Sequence, residues 1–592
     1  MNFKQCVAVF ALLLLAVVLA ACSPQAAQQA QQAVEEAQPT VEAAIEEMAP
    51  TVEAAVEELA PTVEAAVEEL APTVEAAVVD EGEEQAPLVV LIDNDEGPIT
   101  PANFNTFIGF YLIDYVYDSL FARSPELEPV PALAESAEVS EDGLTWQIKL
   151  REDVTWHDGE PFTAEDVIFS YNFLIDAGRA PNLAAIESME ADGDYALTIT
   201  LSEPAPFFLN EGLAGYFIMP EHIWSGQDPV SGELSQFQGQ IGTGPYMLEE
   251  IVPGESYTFK ANPDYFRGPP RVDTVIAKVV KDRTQQFNQL RTGAASAVLS
   301  SVPPAQVEQL ANDPNVAIAK GSDFFNYVFY TNGSRPPFDQ PEVRQAIAKA
   351  IDVDSLVDIV LLGQGVALPL SWYHPDLPWA INIEREYDPE GAAADLEALG
   401  MVDSDNDGIR EFEGEPMAYE ILCDVNNTVE VRATELIAGW LEDIGISATQ
   451  NCLDIDTSVT LIWPNFVAVP DPDYDMAIWG WSSGVQFQRG FLRGLLDSDF
   501  GGVGWGNLTG VSDPTLDELM AEYVSNPDPA RTEELSVAIQ ERLAENLPFI
   551  PLMSPGGNFA YLPEVYDGWV YLKGTGIAPI WSFLPEGSWE SS

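Results

Sequence analysis

Basic residues are scarce in this sequence: 24 lysines and arginines stand against 96 aspartates and glutamates, and only eight of the 24 are lysine. A surface so one-sided repels nucleic-acid phosphates and anionic lipid head groups, which excludes both as partners. A salty habitat and lineage bias would each explain the shortage. Histidine is rarer still, with three residues, His157, His222 and His374. Nickel held by protein alone needs nitrogen or thiolate donors, and three scattered histidines make a poor set. There is no C-x-x-C, no H-E-x-x-H and no P-loop, so thiol redox chemistry, catalytic zinc and ATP have no foothold.

Cysteine is limited to four positions. Cys6 falls in an N-terminal leader and Cys22 ends it. Cys423 closes the apolar run "YEILC", and Cys452 follows "GISATQN", which reads as the next strand of a βαβ unit. A disulfide between Cys423 and Cys452 is plausible outside the cell, and two free buried thiols are the alternative.

Long apolar runs are also lacking, save one. Lys4 precedes "CVAVFALLLLAVVLA", too short for a dedicated membrane span. It ends in "LAAC", residues 19–22, which resembles the lipobox of bacterial lipoproteins. That resemblance implies cleavage after residue 21, lipidation of Cys22 and an exported protein tethered to the membrane by acyl chains. An ordinary signal peptide with Cys22 incidental is the rival. Residues 22–86 then form an acidic stalk in which "APTVEAAVEEL" recurs, with Pro39, Pro50, Pro61 and Pro72 spaced by eleven. Val52, Ala55, Val56 and Leu59 share one helical face, and proline is tolerated only in a helix's first turn. Short helices joined end to end are expected, reaching roughly 100 Å if fully helical. An eleven-residue period also suits a right-handed supercoil with a partner chain. With 16 acidic residues, no basic ones and no aromatics, residues 23–86 cannot build a core.

The remainder, 87–592, retains 23 basic and 80 acidic residues and is long enough for two or three lobes. "LTWQIKLR" (144–151) alternates apolar and polar residues, a strand with one wet face. "VTWH" and "EPFT" flank Asp158-Gly159, a strong hairpin signal. Thr163 is an N-cap with Asp166 three residues on, Val167, Tyr171, Leu174 and Ile175 form the buried stripe, and Gly178 stops the helix. His157 therefore reads as a structural histidine at a turn.

The whole stretch "AESAEVSEDGLTWQIKLREDVTWHDGEPFTAEDVIFSY" resembles the signature of bacterial extracellular solute-binding proteins of the oligopeptide/dipeptide/nickel type. The likeness continues in "IGTGPYMLEEIVPGESYTFKANPDYFRG" (241–268), "FYTNGSRPPFDQPEVRQAIAKAIDVDSLV" (329–357), "YDPEGAAADLEALG" (387–400) and "YDMAIWGW" (474–481). It implies an α/β, type II periplasmic-binding-protein fold in three lobes, with a ligand cleft between lobes I and III. Lobe I would comprise 87–122, 241–322 and 547–592, lobe II 123–240 and lobe III 323–546. It further implies an ABC importer's binding component that needs no cofactor and hands its solute to permease and ATPase subunits. We expect a monomer.

By the same resemblance, Trp479, Gly480, Trp481, Ser482 and Ser483 line the cleft, their backbone pairing with an extended peptide. The two tryptophans are read as alternating across the strand, so that only Trp481 faces the ligand. Trp505, Asn507 and Tyr111 are weaker candidates. Peptide binders of this type often carry an aspartate three residues after that tryptophan, to meet the ligand's amino terminus. Here the position is Gly484, which makes a neutral ligand such as an oligosaccharide a credible alternative to peptide. "GWSSG" (480–484) also matches G-x-S-x-G, the nucleophile elbow of serine hydrolases. However, that fold needs its histidine downstream, and every histidine here precedes Ser482. A surface scaffold built on the stalk is a third class. Finally, "DSDNDGIREFEGEP" (403–416) reads as a calcium-type loop, with Asp403, Asp405, Asp407 and Glu411 as ligands of a structural ion, although Gly414 fills the position of the usual bidentate glutamate.

Overall fold

The structure is a computed structural model that describes residues 86–102, 107–230, 239–464, 472–498, 501–502, 505–577 and 579–590. The expected signal peptide, Cys22 and the repeats to residue 85 lie outside the described residues. No helix of the described residues is long and apolar enough to cross a membrane.

A continuous apolar run needs cover on both faces, which a central parallel strand provides. Leu88–Ile92 (LVVLI) accordingly runs parallel to Thr274–Val279 on one side and Ala297–Val298 on the other. Ala418–Asp424 and Ser447–Leu453 are likewise parallel, connected by the helix Thr428–Asp443 as a βαβ unit. Their register sets Cys423 opposite Cys452, and the two form a disulfide.

These strands belong to one twelve-stranded sheet. Its order runs Ser447–Leu453, Ala418–Asp424, Met476–Trp481, Asn326–Thr331, Ile550–Tyr561, Ala297–Val298, Leu88–Ile92, Thr274–Val279, Ser256–Ala261, Tyr246–Val252. Ala317–Ser322 and Gly365–Ala367 pair with Ile550–Tyr561 off that path. Ile550–Tyr561 is the strand that joins two halves. Through Ile550–Met553 it pairs with Asn326–Thr331, and through Gly556–Tyr561 with Ala317–Ser322. Its Ile550, Leu552 and Met553 pack in a core with Phe329, Ile347 and Ile421, while Phe559 packs in another with Val90, Tyr115 and Trp581. The chain crosses between the halves at 323–325 and again at 553–556.

A separate antiparallel sheet orders Ala134–Val139, Thr145–Leu150, Ala196–Leu201 and Ile186–Ala191 over its own core. Thr145–Leu150 buries Trp146, Ile148 and Leu150 and exposes Gln147 and Lys149. The helix Ala164–Asp176 begins where the Thr163 N–H donates to the Asp166 carboxylate (2.9 Å), and it buries Val167, Tyr171 and Leu174. Gly159 makes the expected turn at φ +91°, but its flanks meet in a single bridge, Thr155–Pro161, instead of a ladder.

His157 ties this sheet to the large one. Its backbone N–H donates to the Gly242 carbonyl (2.9 Å), and the Gly242 N–H donates to Nδ1 (3.3 Å). Nδ1 is thus the acceptor, so Nε2 carries the proton and donates to the Gly244 carbonyl (2.9 Å). Burial lowers the imidazole's pKa, which favours the neutral ring this arrangement needs. His157 thus acts as a structural tie between the two sheets.

Candidate functional site

A cavity of about 350 Å³ opens where the two halves of the large sheet meet. It follows from strand geometry. Side chains just past the carboxyl ends of adjacent parallel strands face one crevice, where an α/β sheet offers room. Asp93 and Asn94 follow Leu88–Ile92, while Leu299, Ser300 and Ser301 follow Ala297–Val298, and all five line the cavity. On the facing side, Asn326 pairs with Trp481. This register carries Asp323 and Phe325, just before one strand, alongside Ser482 and Ser483, just after the other. Ser483 Oγ donates to Asp323 Oδ1 (3.0 Å). A Cβ at Gly480 would sit 2.3 Å from Phe325 Cζ, so the glycine leaves the space that ring occupies.

Tyr111, Phe559 and Tyr571 complete an aromatic wall. Between Asp323 and Phe325 the fully buried Phe324 takes φ +67°, a left-handed conformation costly for any residue but glycine. No lysine, arginine or histidine is among the lining residues. Asp93 accepts from Ser300 Oγ (2.9 Å) and pairs with Arg283 (3.1 Å). Burial pushes the Asp323 carboxyl above its ordinary range, against the hydrogen bonds from Ser483 and the Phe325 amide. Burial, and after it the Asp323 charge, raises the phenols of Tyr111 and Tyr571. The cavity is negative and apolar-walled, and the Ser483 hydroxyl is held on the Asp323 carboxylate.

The middle-region model of the bacterial extracellular solute-binding proteins, family 5, matches residues 128–502. The chain belongs to that family. Among its relatives, the oligopeptide-binding protein AppA of Bacillus subtilis is 26% identical over 477 residues, 77% of this chain and 83% of that protein. Di/tripeptide-binding protein 1 of Pseudomonas aeruginosa is 25% identical over 501 residues, 78% and 88% of the two chains. The solved structure of B. subtilis AppA in complex with a nonapeptide superposes with a TM-score of 0.67 at 24% identity, covering 85% of this chain and all of that one. NikA from Brucella suis, in complex with Fe(III)-EDTA, gives 0.73 at 21% identity, covering 84% and all. These likenesses establish the type II periplasmic-binding-protein fold of the solute-binding family.

Within this family member, the residues expected at the site separate into two groups. Tyr111, Ser482 and Ser483 line the cavity. Trp481 does not: it is 8% exposed, donates Nε1–H to the Tyr330 hydroxyl (2.8 Å) and packs edge-on against Phe491. The reading of Trp479 and Trp481 as alternating is corrected. Residues two apart on a strand share a face, and the two rings lie 6.4 Å apart. Asn507 braces a loop, donating to the Leu496 and Val511 carbonyls (3.2 and 2.7 Å). Trp505 opens the short strand Trp505–Gly506, and its side chain lies outside the described set.

Ser482 has an unstrained extended backbone (φ −64°, ψ 155°), unlike the strained turn of a nucleophile elbow. The three histidines bond elsewhere: His157 to Gly242 and Gly244, His222 to Asp158, and His374 to the Asp376 amide. In the acidic loop, Asp403, Asp405 and Glu411 bring carboxylate oxygens within 4.8 Å of one another, without Asp407. Asp407 instead accepts from the Ile409 amide (2.8 Å), and Asp403 from the amides of Asn406 and Gly408 (2.7 and 3.0 Å).

Proposed function

We propose that this protein is the exported, lipid-anchored capture component of an ABC importer, taking up peptides and passing them to separate permease and ATPase subunits. The observation that carries the reading is the cavity where the sheet's halves meet, walled by aromatic rings and strand ends. Relatives named for peptide binding support the solute class. In this reading lobe I (87–122, 241–322 and 547–592) and lobe III (323–546) are the halves, with lobe II (123–240) fixed to the first. Two crossings, at 323–325 and 553–556, leave them free to hinge. A solute that touches both halves only when they close stabilises the closed state by that difference in contacts, which is a population shift without a covalent step. The protein acts as a monomer and transforms nothing. Neutral oligosaccharide is the competing solute, favoured by the absence of an acid at Gly484.

Native mass spectrometry of the protein as purified tests this directly, followed by solution scattering with the released solute added back. An intact peptide and a more compact particle are expected. A guest returned cleaved, or no change of shape with any solute, overturns the reading.

A further inference from the structure

We propose that lobe II is the latch of this trap, and that Glu211 sets how firmly lobe III stays closed without touching the solute. The inference rests on the reading in which lobe III swings about the two crossings.

Two neighbouring rings show how the chain builds the contact. Phe208 turns into the core under the antiparallel sheet and packs on Trp146, with centroids 5.4 Å apart. Phe207 turns the other way, into a core made chiefly of lobe III residues. There it meets Tyr523 (4.9 Å) and lies beneath the Arg489 guanidinium (5.0 Å). Glu211 reaches the same segment one turn later, where its Oε1 accepts from the backbone amides of Arg489 (2.6 Å) and Gly490 (3.4 Å). Arg123, which opens lobe II, lays its guanidinium over the Phe487 ring (4.4 Å). The turn at Gly143 runs so close to Pro527 that a Cβ there would fall 2.9 Å from the proline's own.

The chain itself does not join these surfaces. Lobe II is connected at both ends to lobe I, and so is lobe III, so only noncovalent contact links lobe II with lobe III. A cavity of about 440 Å³ persists between them, with Phe208 and Glu211 on one wall and Gln488 and Phe491 on the other. Interiors are close-packed, so a gap of this size marks two surfaces laid together, a contact of the kind that parts. Burying the carboxyl costs free energy, and the two amide bonds offset that cost, which keeps the contact reversible. Without the carboxyl, both amides would be left unanswered in the closed form, whereas water serves them in the open one. Glu211 does not line the solute cavity. A contact made only on closure therefore raises the apparent affinity for every solute by one common factor.

The test uses the full-length protein and a mixed library of di- to nonapeptides. Hydrogen exchange at the Arg489 and Gly490 amides is read in wild type, first stripped of solute and then saturated with the library. Loading should slow both amides by at least about tenfold, although no peptide touches them. Glu211→Ala should weaken retention of every bound peptide by a common factor of about ten or more, with faster release. Glu211→Gln, which keeps an acceptor for both amides, should hold that loss to about twofold. Equal protection in stripped and loaded wild type overturns the latch, as does unchanged retention by Glu211→Ala. A loss confined to some peptides also overturns it, because it would place Glu211 in the solute site. Scattering on the same samples separates the latch from the reading beneath it. A loaded protein that compacts without protecting these amides keeps the hinge and loses the latch, whereas one that never compacts sinks the hinge. If the library leaves nothing bound, the peptide assignment fails and the solute released from the purified protein becomes the probe. Should Glu211→Ala not fold, the exchange measurement on wild type still decides.

Discussion

Glu211 sits at a second place where separate parts of the chain meet. Its Oε1 accepts from the Arg489 backbone N–H (2.6 Å) and the Gly490 N–H (3.4 Å). The Arg489 side chain turns away, over the rings of Phe207, Trp379 and Tyr523, and donates to Glu533 (2.8 Å). Burial pushes the Glu211 carboxyl up to about 7, against the pull of those two amides and of the Arg123 and Arg489 charges. The folded protein therefore binds a proton here that the unfolded chain, titrating near 4.5, has already lost. Stability from this group is fully present below about pH 4.5 and is lost as pH rises through about 7. The stability advantage of wild type over Glu211→Gln in chemical denaturation should shrink across that window by roughly 3 kcal/mol, at about 1.36 kcal/mol per unit of pKa difference. A difference that does not vary with pH would refute the assignment.

Between elements, the narrowest tolerance is the run Gly242-Thr243-Gly244. It threads past Val116 so closely that a Cβ on Gly242 would fall 1.8 Å from the Val116 carbonyl oxygen. The Gly244 N–H donates to that same oxygen (2.9 Å), and His157 holds the carbonyls of both glycines. Gly242→Ala should cost about 3 kcal/mol or more in chemical denaturation, because backbone must move to admit the methyl. A loss under 1 kcal/mol would show that the crossing is slack.

In the sequence this run, followed by Pro245, is dense in chain breakers, and other elements are equally legible. The alternation in Thr145–Leu150, the capping pair Thr163 and Asp166, and the βαβ pattern around Cys423 and Cys452 are each written in neighbouring residues. The cavity is not. Asp93, Ser300, Asp323 and Ser483 come from four remote segments, and only strand order brings them together. Their one shared local sign is adjacency to an apolar strand, such as "LVVLI" before Asp93. Trp481 misled for a related reason. A buried indole with a satisfied N–H and one that faces a ligand have the same sequence neighbourhood, and Tyr330, which decides between them, is 151 residues away.

At the scale of the whole molecule, charge opposes compactness. With 23 basic and 80 acidic residues in 87–592, the folded state confines mutual repulsion that the extended chain relieves. Salt screens it, since the screening length falls from roughly 30 Å at 0.01 M to a few ångströms near 1 M. Tm should rise by several degrees between about 0.01 and 0.5 M sodium chloride, read by calorimetry. A flat or falling curve would mean that repulsion is already offset within the fold.

The strand Ile550–Tyr561 has a consequence in time. Its partners Ala317–Ser322 and Asn326–Thr331 emerge from the ribosome more than two hundred residues earlier, and contacts of such sequence separation form slowly. Until that late segment arrives, both earlier strands present bare edges, inviting pairing with other chains. Maturation of the trap is thus gated by the last tenth of synthesis, and a polypeptide clipped before it is an aggregation hazard with nothing to carry.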